Sequence, residues 1–234
     1  MFPVAILAGG LATRLRPLTE TRPKSLIEVN GEPFIAHQLR LLATQGIPHA
    51  ILCTGHLGDQ VRAFVGDGTG FGVGVRYSDD GAVPLGTGGA LRQALRLQSS
   101  PLFALYGDSY LTCDFGAVQR AFEASGKAAL MTVFENRGAF DQSNVEYGKG
   151  QIVAYDKQNA TVAMRHIDYG LGVFAPRAFA GYPEGAPLDL ARVYQDLLAA
   201  GELAAFEVRD RFYEIGSAAG VRDLSDYLAA AARS

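Results

Sequence analysis

Phe2-Pro3-Val4-Ala5-Ile6-Leu7-Ala8-Gly9-Gly10 begins as an unbroken apolar run and ends on paired glycines. A strand buried on both faces of a parallel sheet reads this way, because neither face calls for polar alternation and glycine allows the turn that follows. Further along, Pro33 opens a stretch in which Phe34, His37 and Leu41, and beside them Ile35, Leu39 and Leu42, recur at helical spacing up to Gly46. An apolar run from His49 to Cys53, a short helical pattern around Val61, Phe64 and Val65, and an alternation at Val73, Val75 and Tyr77 come next. The cycle then repeats: a helix near Gly89 to Leu97, a strand Leu102 to Tyr106, a helix near Gly116 to Ala124, a strand Ala128 to Phe134. Such alternation predicts an α/β fold, a Rossmann-like, doubly wound and mostly parallel sheet.

Asn144 to Tyr147 and Gln151 to Tyr155 flank Gly148-Lys149-Gly150, which predicts an inserted β-hairpin. Tyr169 to Phe174 reads as a strand, Asp189 to Ala200 as an amphipathic helix, and Phe212 to Ile215 as a last strand. A helix with Val221, Leu224 and Leu228 on one face follows. With 234 residues, 48% of them hydrophobic, no repeat and no low-complexity segment, one domain over 1–234 is expected.

Only 21 residues are Lys or Arg and the formal net charge is -3, which argues against nucleic acid as a partner. No stretch approaches the ~20 apolar residues that span a bilayer, so no membrane partner is expected. Cys53 and Cys113 lie in apolar runs without a CxxC or Cys/His spacing. They read as structural thiols of a reducing compartment, the cytoplasm, and zinc is not expected.

The chemistry concentrates in Leu7-Ala8-Gly9-Gly10-Leu11-Ala12-Thr13-Arg14-Leu15-Arg16-Pro17-Leu18-Thr19. Small residues let backbone N–H groups approach phosphate oxygens, and arginine binds them bidentately. The spacing matches neither GxxxxGK[ST] nor GxGxxG, which sets aside a P-loop and a dinucleotide-dependent dehydrogenase. Asp108 follows an apolar strand, at the carboxyl end where open α/β sheets bind ligands.

Together with Pro23-Lys24, Gly31-Glu32-Pro33-Phe34, Leu57-Gly58-Asp59-Gln60-Val61, Gly66-Asp67-Gly68, Pro84-Leu85-Gly86-Thr87-Gly88-Gly89-Ala90-Leu91, Gly107-Asp108 and Glu214-Ile215-Gly216-Ser217, the loop resembles the sugar-1-phosphate nucleotidyltransferase family, or nucleotide-sugar pyrophosphorylases. The resemblance implies transfer of a nucleoside monophosphate from a nucleoside triphosphate to a sugar 1-phosphate, with Mg2+ as cofactor and pyrophosphate released. By resemblance, Leu7, Gly9, Gly10 and Thr13 bind the nucleotide. Gly86 and Gly88 border its base, and Arg14, Lys24 and Asp108 are catalytic. Asp108 and Glu214 would hold the metal, and Asp156, Lys157 and Asp168 would meet the sugar phosphate. His56 is expected to be peripheral, because an anionic phosphate oxygen needs no general base.

The chain departs from the family pattern at three places. Ala12 stands where relatives carry glycine, Glu214 where they carry aspartate, and Tyr155-Asp156-Lys157-Gln158 where they carry Glu-Lys-Pro. Two alternatives stay open at this level: a cytidylyltransferase of the same fold acting on phosphocholine or a phosphonate, and an inactive relative that senses nucleotide. The base, the sugar and any homo-oligomer are undetermined by the sequence.

Overall fold

The computed structural model describes residues 1–10 and 19–233. Among them the strands are β1 (Val4–Leu7), β2 (Glu28–Val29), β3 (Glu32–Pro33), β4 (His49–Thr54), β5 (Gly74–Asp79), β6 (Leu102–Tyr106), β7 (Ser109–Leu111), β8 (Ala129–Glu135), β9 (Val145–Gly148), β10 (Gln151–Tyr155), β11 (His166–Phe174), β12 (Leu203–Val208) and β13 (Phe212–Glu214). The helices are α1 (Phe34–Thr44), α2 (Gly58–Val65), α3 (Gly86–Leu95), α4 (Phe115–Ser125), α5 (Leu190–Ala199) and α6 (Ala218–Ala231). The architecture is mixed α/β with a mostly parallel central sheet, a Rossmann-like fold. The chain divides into two compact units. Pro3–Pro84, Leu105–Thr112 and Arg211–Ser234 make the glycine-loop unit, and Met1–Phe2, Leu85–Ala104 and Cys113–Asp210 make the hairpin unit.

In the glycine-loop unit β1, β4 and β5 lie side by side in parallel, with Leu7 opposite Cys53 and Thr54 opposite Asp79. Val4, Ala5, Ile6, Ala50, Ile51 and Leu52 are fully buried, which is why neither β1 nor β4 alternates. Pro33 precedes α1 with φ -55°, and Gly46 ends its last turn at φ +72°. The face between them buries Phe34, Ile35, Leu39 and Leu42, each contributing about 2 kcal/mol by apolar transfer. A second core of Val29, Phe34, Tyr110, Ile215 and Leu224 lies between α1, α6 and the antiparallel pair β7/β13.

In the hairpin unit β8 pairs with β12 in parallel and with β11 in antiparallel fashion. β11 also meets β9, which pairs with β10. The predicted hairpin is β9/β10, turned by Lys149 and Gly150 at φ +52° and +78°, the signs a two-residue type I′ turn demands. β11 starts at His166, three residues before the strand predicted from Tyr169, and its register with β8 shifts between Asp168 and Gly172. β12 was not predicted: Leu203-Ala204-Ala205-Phe206-Glu207-Val208 does not alternate, and its short apolar start fits helix as well as strand, yet it pairs with β8 along its whole length. No helix among the described residues is long and apolar enough to cross a membrane.

Candidate active site

The glycine-loop unit brings several of the predicted residues to the carboxyl ends of its strands. Beyond β1, Gly9 lies against Gly55: a Cβ added to Gly9 would stand 3.3 Å from the Gly55 nitrogen and 3.6 Å from Asp80 Oδ2. Gly9 therefore sits in a tight contact of the chain with itself, where a side chain would have to push its neighbour back slightly. Gly10 is different, being exposed with no atom of the described residues within 4 Å of an added Cβ. Leu7 offers its carbonyl to the N–H of Gly107 at 3.1 Å. A Cβ on Gly107 would meet that carbonyl oxygen at 2.6 Å, so only glycine lets the turn after β6 press against β1. Thr13 and Arg14 lie outside the described residues, as does Ala12.

The turn pressed against β1 carries Asp108. Lys24, at the start of a single 3-10 turn after Pro23, places Nζ 2.6 Å from Asp108 Oδ2. Their side chains are 20% and 35% exposed, so the pair faces solvent and a ligand can reach it. A Cβ on Gly216 would lie 3.7 Å from the same Nζ, which places the Glu214-Ile215-Gly216 segment beside the pair. β13 pairs with β7 so that Glu214 stands opposite Ser109, and the Ile215 N–H donates to the Asp108 carbonyl at 2.9 Å. Glu214 itself is exposed. Lys24, Asp108 and the Glu214 segment thus come together from three distant stretches of chain.

Asp108 and Glu214 offer carboxylate oxygens of the kind a hard divalent cation takes. No group of three or more His, Cys, Asp or Glu suited to a metal occurs among the described residues. Two carboxylates leave coordination positions for phosphate oxygens and water, the way Mg2+ is commonly held beside a nucleotide.

Gln38 was not singled out from the sequence. It is 1% exposed on α1, and its Nε2 donates to the carbonyls of Tyr106 at 3.2 Å and Ser109 at 2.7 Å. The available signal was its position, four residues after Phe34 and four before Leu42 on the apolar face.

The hairpin unit holds the remaining predicted residues. Gly86, at φ +70°, and Gly88 begin α3, where an added Cβ would lie 2.7 Å from the Leu188 carbonyl oxygen and 2.9 Å from Leu188 Cγ respectively. The N–H groups of Gly88 and Gly89 both donate to the Leu188 carbonyl. Packing of the chain's own backbone is therefore sufficient reason for glycine at both positions. Gly86 remains exposed.

Lys157 Nζ lies 3.5 Å from Asp168 Oδ2, and the Asp168 side chain is 3% exposed. Tyr155 Oη stands 3.4 Å from the same oxygen, while Oδ1 accepts from the Gly170 N–H at 3.1 Å. Asp156 stands apart from this group and shapes its own turn, accepting from the N–H groups of Gln158 and Asn159. The Asn159 N–H, then the Gln158 N–H, then the Asn159 side chain hold its carboxyl below the usual aspartate range.

Cys53 and Cys113 are buried thiols that form no disulfide. Burial, aided by the Asp80 carboxylate, pushes the Cys53 thiol far up, and burial raises Cys113 to about 12. His56 is exposed.

Comparison with known proteins adds lineage to this geometry. The "Nucleotidyl transferase" family profile matches residues 4–158. A mannose-1-phosphate guanylyltransferase of Mycobacterium tuberculosis is 30% identical over 213 residues, covering 89% of this chain and 58% of that protein. The chain thus spans under three-fifths of that relative's length. An N-acetylmuramate alpha-1-phosphate uridylyltransferase of Caulobacter vibrioides is 28% identical over 221 residues and covers 90% of each chain. Among solved structures, HddC from Yersinia pseudotuberculosis complexed with GMP-PN shares the fold with a TM-score of 0.81 at 20% identity, covering 97% of this chain and 100% of that one. The profile takes in most of the chain and ends just past β10, so this chain belongs to the nucleotidyl transferase family.

Proposed function

We propose that the chain is a magnesium-dependent nucleotidyltransferase, one catalytic domain over 1–234. It moves a nucleoside monophosphate from a nucleoside triphosphate to a sugar 1-phosphate, releasing pyrophosphate and forming a nucleotide sugar. The observation that carries this reading is the Lys24–Asp108 pair at 2.6 Å, half-open and flanked by the Glu214 segment, in the same unit as Gly9-Gly10. The Caulobacter uridylyltransferase, alike over nine-tenths of both chains, supports a sugar 1-phosphate as acceptor.

In this reaction an anionic oxygen of the sugar phosphate attacks the α-phosphorus, one P–O bond forms, and the bond to the bridging oxygen of the leaving pyrophosphate breaks. Such transfers need alignment and charge neutralisation more than covalent help. Gly10 offers backbone to the triphosphate, Gly9 and Leu7 hold the end of β1 against Gly55 and Gly107, and the family resemblance adds Thr13 and Arg14 as phosphate ligands. Lys24 leaves Asp108 for the reacting phosphate when both charges find better partners, and so offsets negative charge as it develops. Asp108 and Glu214 would hold Mg2+, which would supply neutralisation of phosphate charge. Gly86 and Gly88 border the base. Lys157, steadied by Asp168, meets the sugar phosphate, with Asp156 shaping the turn beside it. The two buried thiols, reduced rather than joined in a disulfide, support a reducing compartment such as the cytoplasm.

The test is pyrophosphate release by the purified protein with Mg2+, across the common nucleoside triphosphates crossed with a panel of sugar 1-phosphates and phosphocholine. Release with a sugar 1-phosphate supports the proposal and names its substrates. Release only with phosphocholine would replace the acceptor class, and nucleotide binding without release from any pair would leave a sensor rather than an enzyme.

A further inference from the structure

We infer that Gln38 is a positioning residue that sets Asp108 for the metal and for Lys24, a role that rests on the nucleotidyltransferase reading above. Gln38 is 1% exposed on α1, among Phe34, Ile35, Leu39 and Leu42. A carboxamide in such surroundings is costly unless its polar atoms are used. Nε2 is used twice, donating to the carbonyls of Tyr106 at 3.2 Å and Ser109 at 2.7 Å. Those two carbonyls bracket Gly107-Asp108, so one side chain grips both ends of the turn that presents the carboxylate.

The other end of the amide makes the commitment plain. Oε1 is buried and, among the described residues, accepts no hydrogen bond. Flipping the amide would set this oxygen against two carbonyl oxygens, so chemistry fixes the donor toward the turn. An apolar side chain of similar size would fill the space without leaving an acceptor unmet. The chain instead keeps a buried group whose gain is the geometry of one turn, where the Gly107 N–H to Leu7 carbonyl and the Ile215 N–H to Asp108 carbonyl already fix the backbone from two other sides. Together the three contacts hold Asp108 with little freedom, as a metal ligand requires of its supporting shell.

The experiment compares the wild-type protein with Gln38→Met, Leu39→Val and Asp108→Asn. Folding is checked by circular dichroism and thermal unfolding. Affinity for Mn2+ alone is read from the paramagnetic resonance of the free ion, and kcat and KM for the nucleotide are measured with Mg2+. Gln38→Met is expected to fold and to weaken Mn2+ binding and kcat by about 10-fold, with the nucleotide KM changed by no more than about 2-fold. Leu39→Val, a core truncation on the same helix, should lose thermal stability while binding Mn2+ as the wild type does.

Wild-type Mn2+ affinity and kcat in a folded Gln38→Met protein would overturn the proposal. So would losses in both variants that merely track their stability. If Asp108→Asn binds Mn2+ as tightly as the wild type, the metal reading at Asp108 fails and the positioning role falls with it, a result visible before any Gln38 variant is considered. Should Gln38→Met not fold, Gln38→Asn keeps an amide in the interior but draws it one methylene away from the turn. The same losses are then expected to a smaller degree, and their absence counts against the role.

Discussion

Lys24 and Asp108 are the residues on which the account turns, and their roles predict different failures. Replacing Asp108 by alanine should reduce turnover to background and lower the unfolding temperature while the fold is kept, because the Lys24 ammonium, 20% exposed, is left without its carboxylate partner. Replacing Lys24 by alanine removes one preorganised positive charge and should lower kcat by about 10²- to 10³-fold. Steady-state kinetics with a coupled pyrophosphate assay separates the two, and near-wild-type kcat in Lys24→Ala would remove it from the reacting centre. Asp156 gives a pH prediction. Its carboxyl is held below the ordinary value of 3.8 by N–H donors, so the turn at 156–159 is fully supported above that value. The support is lost as pH falls through the lower, folded value. An NMR titration of the Asn159 amide should therefore show a midpoint below 3.8, and a midpoint at or above it would contradict the turn.

At the scale of elements, the start of α3 shows what a sequence tells and what only the fold adds. Leu85-Gly86-Thr87-Gly88-Gly89 leads into the predicted helix, and the family resemblance sets Gly86 and Gly88 beside the base. The helix is there, but the space beside the glycines holds the backbone of Leu188 and Asp189, a contact over a hundred residues distant that no local pattern could foretell. Gly86→Ala should accordingly cost about 2 kcal/mol or more, from φ +70° and from a Cβ 2.7 Å from the Leu188 oxygen. Urea unfolding measures this, and unchanged stability with impaired nucleotide binding would favour a ligand contact instead. Asp189, whose side chain accepts from the Ala191 N–H to cap α5, should cost about 1 kcal/mol when replaced by alanine. Elements with strong periodicity were legible to within a few residues: Pro33 and Gly46 bracket α1, and Lys149-Gly150 turns β9 into β10. β12 and β7 were not, since an alanine-rich run and a three-residue strand carry no periodic signal of their own and form only because β8 and β13 offer them partners.

At the scale of the whole molecule, the order of motifs along the chain disclosed the fold class, because alternating strand and helix patterns with buried apolar runs admit few architectures. The candidate site was legible as a set of residues but not as a geometry. Lys24, Asp108 and Glu214 are far apart in sequence, and only the fold shows that Lys24 reaches Asp108, that Gly216 lies beside both, and that Gln38 grips the turn from below the surface. The two thiols carry a global prediction. Cys53 and Cys113 are 1% and 2% exposed, so iodoacetamide at pH 8 should leave the native protein unlabelled and modify both residues once it is denatured. Labelling of the native protein would mean that β4 or the segment before α4 opens far more readily than its packing implies. The most direct test of the central claim follows a label. A nucleoside triphosphate carrying ³²P at the α-position is incubated with Mg2+ and a sugar 1-phosphate, and the products are separated by chromatography. The account predicts that the label appears in a nucleotide sugar at the rate pyrophosphate is released, and that Asp108→Ala abolishes both; label found only in free nucleotide monophosphate, or transfer undiminished in Asp108→Ala, would contradict it.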